Sequence, residues 1–587
     1  NMITMKYYNR ILLGAVCAAT LASCADNNAL DFAVNEPDSL ARTEYLKQYD
    51  VLKNYVDRTA NPNFKLGTGV AVSEYLNKGL VYNLTNSNFD EMTAGNAMKY
   101  ASCVANDGTM NFATVKKFVE AAQGAGESIY GHTLAWHSQQ NNTYLNNLVT
   151  DPNAANYVVH INTPEAKANV WDWSMDLQLS SALTTGKDYT LKMRIKASKD
   201  ASITCWPRVN GGATQYWPTP AVNATTSWTK ISSTFTANNP IDILGFVFGT
   251  FQGDFYMDDV SLTDASGKEY VANGKFDESL EGWTKPSWQG YTQERIKDPD
   301  QDASAGGYTP QMKADTLKYA MKNWIQGMMT ACGGYVKAWD VVNEALSGTD
   351  KDGDGYYDLQ SATRGTVSAD DAKANFYWQD YMGDLDYVRT AVADARKYFA
   401  ESGGSAADLK LFINDYNLEG DWDNNKKATS LVHWIGLWEA DGKTKIDGIG
   451  TQMHVTYYEN ANIEKSKEAA IVNMFKILAA SGKLVRISEL DMCIRDANGN
   501  TVNTANATDA QLKGQAALYQ FIVKAFFDNI PAAQRYGIAQ WAQTDSPSTS
   551  GWLPNQPIGL WNSNYSRKRA YAGFANGLAG KEVYSAE

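Results

Sequence analysis

The sequence predicts an α/β protein, a (β/α)8 TIM barrel interrupted after its third strand by an all-β sandwich. Short apolar runs alternate with helical periods before about residue 150 and again after about residue 300, which is typical of parallel strands with helical crossovers. The region between them has β-rich segments at short spacing and hardly a helical period, which indicates a sandwich. Three β-α units before this region and five after it give the eight of a closed barrel.

Composition limits the classes of function. A chain of 587 residues exceeds one ordinary core, so we expect more than one domain. A net charge of -13 disfavours nucleic acid and anionic lipid as partners, whereas a neutral polymer is compatible with it. Aromatic residues make up 12% of the chain. They fill a large core or serve as ring platforms for a flat ligand.

Residues 1–24 read as a lipoprotein signal peptide. A basic start precedes "ILLGAVCAATLA", an apolar run too short to span a bilayer. It ends in "LASC", which resembles the bacterial lipobox, in which Cys24 is lipidated and becomes the mature N-terminus. A plain secretory peptide is the alternative. Residues 25–44 are then a linker, and we expect an outer-membrane lipoprotein on the cell surface or the periplasmic face.

Metal, phosphate and serine-nucleophile chemistry have little support. The chain has no CxxC spacing, no Gly-rich phosphate loop and no Ser-centred elbow. We expect the four cysteines beyond the signal peptide to be small buried residues. The run "DKDGDGYYD" has EF-hand spacing at Asp350, Asp352 and Asp354, but Ser361 stands where the bidentate Glu is expected. A solvated acidic loop and a calcium site are the two readings of this run.

Polar and aromatic residues gather at the ends of the predicted barrel strands, where catalytic residues of such barrels lie. Two glutamates, Glu344 and Glu489, end strands 4 and 7 and would face each other across the barrel mouth. One such Glu alone is more often a cap or an ion-pair partner. A pair of carboxyl groups with rings nearby is what glycosidic cleavage requires, because one protonates the leaving oxygen and the other attacks the anomeric carbon or activates water. The other strand-end residues are His132, Trp136, Asn343, Asn414, Asp415, Gln452, His454, Asp491 and Trp541.

Several of these stretches carry a family resemblance. "WDVVNEAL" (339–346) and "RISELDM" (486–492) resemble the acid/base and nucleophile signatures of glycoside hydrolase family 10, the endo-β-1,4-xylanases. "FDEMTAGNAMKY", "GHTLAWHSQ", "LFINDYN" and "DGIGTQMH" resemble that family's motifs on strands 2, 3, 5 and 6. The matches follow the family's order along the whole barrel.

The resemblance implies endo-hydrolysis of β-1,4-xylosidic linkages in xylan or xylo-oligosaccharides, without a cofactor and with retention of configuration. Glu489 would be the nucleophile and Glu344 the acid/base, at the ~5–5.5 Å separation of retaining enzymes. We expect a monomer that contacts the membrane only through its N-terminal lipid. The alternatives are a retaining glycosidase acting on another β-1,4-glycan and a non-catalytic glycan-binding surface lipoprotein.

The resemblance also assigns the substrate-binding residues. It implies that Asn343 bonds the sugar 2-hydroxyl and that His454 supports the nucleophile. One departure stands out, because Gly95 occupies the position of a family Glu and Tyr100 that of a Trp. We therefore expect weaker or altered binding at the distal glycone subsite. The remaining substrate-binding and supporting residues are Asn96, Lys99, His132, Trp136, Gln139, Tyr416, Gln452, Asp491, Trp541 and Trp552.

The predicted insert is 146–298, between barrel segments 45–145 and 299–587. Its pieces "TTGKDYTLKMRIKAS", "TTSWTKISSTFT" and "GDFYMDDVSL" resemble carbohydrate-binding modules of the family 4/9 type. We expect Trp206 and Trp217 to stack on ligand. Modules of this type often carry a structural calcium, and Asp259 is the candidate ligand. The segment "NGKFDESLEGW" either opens a second module or completes the first sandwich.

Overall fold

The computed structural model describes residues 43–151, 156–212, 214, 216, 221–301 and 308–584. The chain divides into two compact units, Asn1–Tyr144 with Lys318–Glu587, and Leu145–Leu317. The predicted signal peptide with Cys24 lies outside the described residues, and so does Trp217. Within the described ranges, no helix has both the length and the apolar character needed to cross a membrane.

The first unit begins with three strands and their helices. Two short 3-10 helices, Tyr45–Gln48 and Leu52–Tyr55, precede them. The helix Ala113–Ala125, which precedes the third strand, is followed by Gly126, and this glycine takes the left-handed conformation that closes a helix. The elements are β1 Lys65–Val70, α1 Val72–Leu76, α2 Leu80–Asn88, β2 Glu91–Ala94, α3 Tyr100–Cys103, α4 Ala113–Ala125, β3 Ser128–Ala135 and α5 Asn142–Val149.

The second unit is an antiparallel β-sandwich. Its strands are β4 Tyr157–Thr163, β5 Ser174–Gln178, β6 Asp188–Ala197, β7 Ala201–Arg208, β8 Val222–Ala224, β9 Thr229–Thr236, β10 Ile243–Val247, β11 Gly253–Asp264, β12 Trp283–Thr284 and β13 Thr292–Lys297. One sheet has the strand order β12-β5-β10-β7-β8, and the other has the order β13-β4-β11-β6-β9. Every second residue of β6 is buried, as expected for a strand with one face on the core. β12 and β13 add an edge to each sheet, so the segment from 273 onward completes this sandwich.

The first unit resumes after the sandwich. The long helix α6 carries the chain back to the barrel, and Thr508 with Gln511 forms a capping box at the start of α12. The elements are α6 Pro310–Cys332, β14 Ala338–Asn343, α7 Ala369–Ala374, α8 Gln379–Met382, α9 Asp386–Glu401, β15 Lys410–Asp415, α10 Lys426–Glu439, β16 Gly448–Thr451, β17 His454–Tyr458, α11 Ala461–Ala480, β18 Leu484–Arg495, α12 Asp509–Asn529, β19 Arg535–Gln540 and α13 Arg569–Ala579.

The parallel strands of the first unit close into a ring. Their order is β1-β2-β3-β14-β15-β16-β18-β19, and β19 pairs with β1. This eight-stranded ring confirms the predicted barrel, and the sandwich follows its third strand as expected. Tyr130, Ala338 and Phe412 form a buried cluster inside it. Since all eight strands run in parallel, their carboxyl ends meet at one mouth, which brings the strand-end residues together. β17 pairs with β18 beyond the ring.

The cysteines and the acidic candidates of the sequence are also placed. Cys103, Cys205, Cys332 and Cys493 are all buried, as predicted. The exposed Asp259 has its carboxylate 3.6 Å from Arg194 Nε. Within the described residues Asp259 belongs to no group of three or more metal-ligating side chains. The one such group found there is Asp350, Asp352 and Asp354, of which Asp350 is paired with Lys426 at 2.7 Å.

Candidate active site

Glu344 and Glu489 both lie at the mouth of the barrel. Glu344 directly follows β14 and has a φ of 55°, a left-handed conformation that is unfavourable for glutamate. The surrounding structure holds it there, because its backbone N–H donates to the carbonyl of Asn414 at the end of β15, at 2.7 Å. Such conformations persist where neighbouring contacts over-determine them, often at active sites.

The carboxyl group of Glu344 accepts hydrogen bonds from two neighbouring strand ends. Trp136 Nε1 donates to Oε2 at 2.9 Å and Gln452 Nε2 donates to Oε1 at 2.8 Å. Burial raises the pKa of this carboxyl, and the negative charges of Asp415 and Glu489 raise it further against the opposing hydrogen bond from Gln452. Glu344 is therefore suited to carry a proton at the start of a reaction.

The carboxyl group of Glu489, in β18, has the opposite character. Asn414 Nδ2 donates to its Oε1 at 3.0 Å, and His454 Nε2 lies 3.3 Å from its Oε2. Burial acts to raise the pKa of Glu489, but the hydrogen bond from His454 and the electrostatic effect of His132 and His454 outweigh it and lower the pKa to about 2. Glu489 is therefore ionised at neutral pH.

His454 is itself fixed by a second carboxylate. Its Nδ1 lies 2.9 Å from Asp491 Oδ1, and the other oxygen of Asp491 accepts a hydrogen bond from Trp552 Nε1 at 2.7 Å. Burial acts to lower the pKa of His454, but the charges of Asp491 and Glu489 raise it to about 10. The imidazolium is thus a permanent positive neighbour of Glu489. Two carboxyl groups whose pKa values are moved apart are suited to act as proton donor and nucleophile.

The pair lies in a cleft with a volume of about 1280 Å³. Lys99 Nζ lies 5.1 Å over the Trp136 ring and donates to Asn96 Oδ1 at 3.2 Å. Burial lowers the pKa of this lysine. The cleft is lined by these predicted residues among others: Asn96, Lys99, His132, Trp136, Gln139, Tyr416, Gln452, His454, Trp541 and Trp552.

Two further predicted site residues, Asn343 and Asp491, are buried and are not part of the cleft lining. Asn343 is buried, and its amide donates to Glu344 Oε1 at 3.2 Å while its Oδ1 accepts from Asn414 Nδ2 at 2.8 Å. Asp491 is buried beneath His454. Asn343 thus contacts the carboxyl group of Glu344 directly, and Asp491 acts on Glu489 through His454.

Asp340 was missed by the sequence reasoning. It lies inside β14, where its Oδ2 is 2.8 Å from His132 Nδ1 and its Oδ1 accepts from the Tyr130 hydroxyl at 2.6 Å. All three side chains are buried. An acidic residue within an otherwise apolar strand, four residues before Glu344, is the signal that points to it.

Gly95 leaves space at the edge of the cleft. It lies next to Asn96, and its φ is not positive. A Cβ built at Gly95 would have only the Val70 carbonyl within 4 Å, at 3.6 Å. A larger side chain fits there without strain.

The sandwich candidates are partly described. Trp206, in β7, is half-buried, and among the described residues its Nε1 is buried without a hydrogen-bond partner. Its predicted companion Trp217 lies outside the described residues.

Comparison with known proteins shows which family the chain belongs to. The profile of Glycosyl hydrolase family 10 matches residues 56–172 and 303–577. The chain belongs to this family. The interruption between the two family 10 segments, residues 173–302, contains every strand of the sandwich except β4, Tyr157–Thr163, which lies within the first segment.

The relatives of the chain include proteins named as xylanases. The chain is 35% identical over 263 residues to "Endo-1,4-beta-xylanase A" of Cellvibrio japonicus, a match that covers 42% of this chain and 38% of that protein. It is 30% identical over 267 residues to "Endo-beta-1,4-xylanase Xyn10C" of the same organism, again covering 38% of that protein. The chain thus spans about two fifths of the length of these relatives.

The family 10 fold is also found among solved structures. "Structure of GH10 from Paenibacillus barcinonensis" is similar with a TM-score of 0.51 at 19% identity, covering 91% of this chain and 99% of that one. At this level of identity the similarity shows the fold.

Proposed function

We propose that the protein hydrolyses β-1,4-xylosidic linkages within xylan, with retention of configuration by double displacement. The observation that carries this proposal is the pair of buried carboxyl groups, Glu344 and Glu489, whose pKa values are moved in opposite directions at one barrel mouth. The activity named for the family 10 relatives supports the choice of substrate.

The proposed reaction has two steps. The carboxylate of Glu489 attacks the anomeric carbon while Glu344 gives its proton to the glycosidic oxygen, so the bond to the leaving sugar breaks and a glycosyl-enzyme ester forms. Loss of the proton leaves Glu344 as a base. It then takes a proton from water as that water attacks the anomeric carbon, and the bond to Glu489 breaks.

The cleft suits a neutral polymer of sugar rings. Trp541 lies 6.0 Å from His132, and Trp552 lies 4.6 Å from His454, between ring centroids, so aromatic faces border the catalytic pair. Hydrogen-bond donors in the same cleft come from the side chains of Lys99, Asn96 and Gln452. Aromatic faces with a few placed polar groups are typical of a carbohydrate site.

Hydrolysis of three polymers tests the proposal. The wild type should release reducing ends from xylan but not from cellulose or mixed-linkage glucan, and Glu489→Ala should abolish that release while keeping the wild-type circular dichroism spectrum. Proton NMR of the first products should show the β-anomer. An inactive wild type would overturn the proposal, and activity confined to glucans would select another substrate.

We also propose that the sandwich binds glycan through Trp206. Its half-buried ring is compatible with a sugar that stacks on the exposed part of the ring. Trp206→Ala should weaken binding to insoluble xylan without changing the rate on soluble xylo-oligosaccharides. Unchanged retention on insoluble xylan would rule Trp206 out.

The proposed location is the outer membrane, through lipidation of Cys24. The lipobox-like sequence "LASC" supports it. Cys24→Ser should move the protein from the membrane fraction to the soluble fraction and prevent incorporation of labelled palmitate. A wild type that takes up no palmitate would contradict the proposal.

A further inference from the structure

A second cavity, here called the side pocket, adjoins the catalytic cleft. It has a volume of about 190 Å³ and shares Asn417 and His454 with the cleft. The remaining polar lining includes Glu419 and Thr456, and Trp422 lies at its surface. The two-step reaction described above does not use this pocket.

Strand geometry connects the side pocket to the catalytic pair. Alternate residues of a strand point to the same face, so His454, Thr456 and Tyr458 of β17 lie in one row, and all three line the pocket. The first of the row, His454, is 3.3 Å from Glu489. A substituent on a sugar bound close to the nucleophile can therefore reach the pocket.

Glu419 has an unsatisfied carboxyl oxygen in this pocket. Its Oε2 is buried, and within the described residues it has no hydrogen-bond partner. Burial raises the pKa of this carboxyl. An unpaired buried acceptor costs free energy, and a hydroxyl group entering the pocket would satisfy it.

The charges around the pocket favour a neutral guest. Two cations line it, and both are already paired. The ammonium of Lys467 is 2.5 Å from Asp421 Oδ1 and 5.0 Å from the centre of the Trp422 ring, and the imidazolium of His454 lies between Glu489 and Asp491. A uronate would gain no free cation there, and burial of its charge in the pocket without a partner would cost energy.

The other walls favour a sugar ring. Ile471 and Leu518 give the pocket an apolar side, and Trp422 is 64% exposed, so its ring is available for stacking. An apolar wall, a hydroxyl acceptor and an exposed indole together match the two faces and the polar edge of a small sugar.

We propose that the side pocket receives a neutral pentosyl branch of the glycan, such as an arabinofuranosyl unit, carried by a backbone sugar bound beside His454. This inference rests on the proposed function, which supplies the backbone sugar in the cleft. The pocket then makes branched arabinoxylan a preferred substrate, whereas uronosyl-branched chains gain nothing from it.

Binding to the Glu489→Gln protein tests the pocket independently of hydrolysis. The probes are three xylo-oligosaccharides of equal backbone length, which are linear, arabinosyl-branched and glucuronosyl-branched, measured by isothermal titration calorimetry. The branched arabinosyl probe should bind more tightly than the linear one. Adding Thr456→Phe, which fills the pocket, should lower the affinity for the arabinosyl probe by about tenfold. The affinity for the linear probe should stay unchanged. Trp422→Ala lies at an exposed position, so it carries little risk to folding. It should lower the affinity for the same probe by about fivefold.

The matched control is Tyr457→Phe, because Tyr457 lies on the opposite face of β17 with its ring against Gly514. It should bind all three probes as its parent does. Equal affinity of the parent for linear and arabinosyl probes, or an equal loss for both in Thr456→Phe, would overturn the inference. Failure of the proposed function is a separate result, since it would appear as a wild type that binds these probes but hydrolyses none.

Discussion

The imidazole of His454 lies 3.3 Å from the carboxylate of Glu489, measured from Nε2 to Oε2. The pKa of the histidine is raised to about 10 and that of the glutamate is lowered to about 2. Each group therefore keeps its charge through the whole neutral range. Asp491 on the far side of the ring fixes which nitrogen faces Glu489.

Replacing His454 should move the acid limb of the pH–activity profile. Glu489 attacks only when ionised, so activity is lost as the pH falls through its pKa. His454→Gln removes the positive neighbour, the pKa of Glu489 rises, and the acid limb of kcat/KM should shift upward by about one pH unit or more. Initial rates on linear xylo-oligosaccharides across the acid range provide the measurement. An acid limb at the wild-type pH would show that His454 does not hold the nucleophile ionised.

Replacing Glu344 should affect the basic limb of the pH–activity profile, not the acid limb. Burial raises its pKa, so the wild type should lose activity on the basic side as this proton leaves. Glu344→Gln should lower kcat on xylo-oligosaccharides by about 10²–10⁴ and abolish the basic limb. An aryl xyloside with an acidic phenol needs no proton for departure, so its first step should be much less affected. Equal losses on both substrates would argue against a proton-donor role.

The barrel was predictable because its signals repeat along the chain. Each strand is a short apolar run followed by a helical period, and the polar residue at its end is visible in the sequence, as with Glu344 after β14 and Glu489 in β18. The closed, parallel ring then brings these ends together without any further information.

Contacts between side chains of different strands were not predictable. Asp340 reads as one acid in an apolar run, and its role depends on His132 lying across the ladder between β14 and β3. Likewise, the side pocket depends on β17 and α11 placing Thr456 and Ile471 beside Glu419. Such neighbours are set by register and helix packing, which a single sequence does not specify.

Asp340 should be important for stability. Asp340→Ala would leave the Tyr130 hydroxyl and His132 Nδ1 buried without their partner. Each unsatisfied group costs about 1–3 kcal/mol, so the free energy of unfolding should fall by several kcal/mol in urea titration. Asp408→Ala is the control, because its ion pair with Lys337 is exposed to solvent and should contribute little to the free energy of unfolding. Similar losses in the two variants would contradict the assignment.

Gly95→Glu should strengthen binding at the glycone side of the cleft. The position is open, since the nearest atom to a built Cβ is the Val70 carbonyl at 3.6 Å, and its φ needs no glycine. The new carboxylate would stand beside Asn96, at the position where the resemblance to family 10 implies a Glu that holds the distal glycone sugar. Charge-assisted hydrogen bonds to sugar hydroxyls should lower KM for short xylo-oligosaccharides by about tenfold, with kcat nearly unchanged because neither catalytic glutamate is touched. Gly95→Ala separates the carboxylate from the added bulk, and it should leave KM at the wild-type value. If Glu improves KM no more than Ala does, the missing family glutamate does not determine binding here.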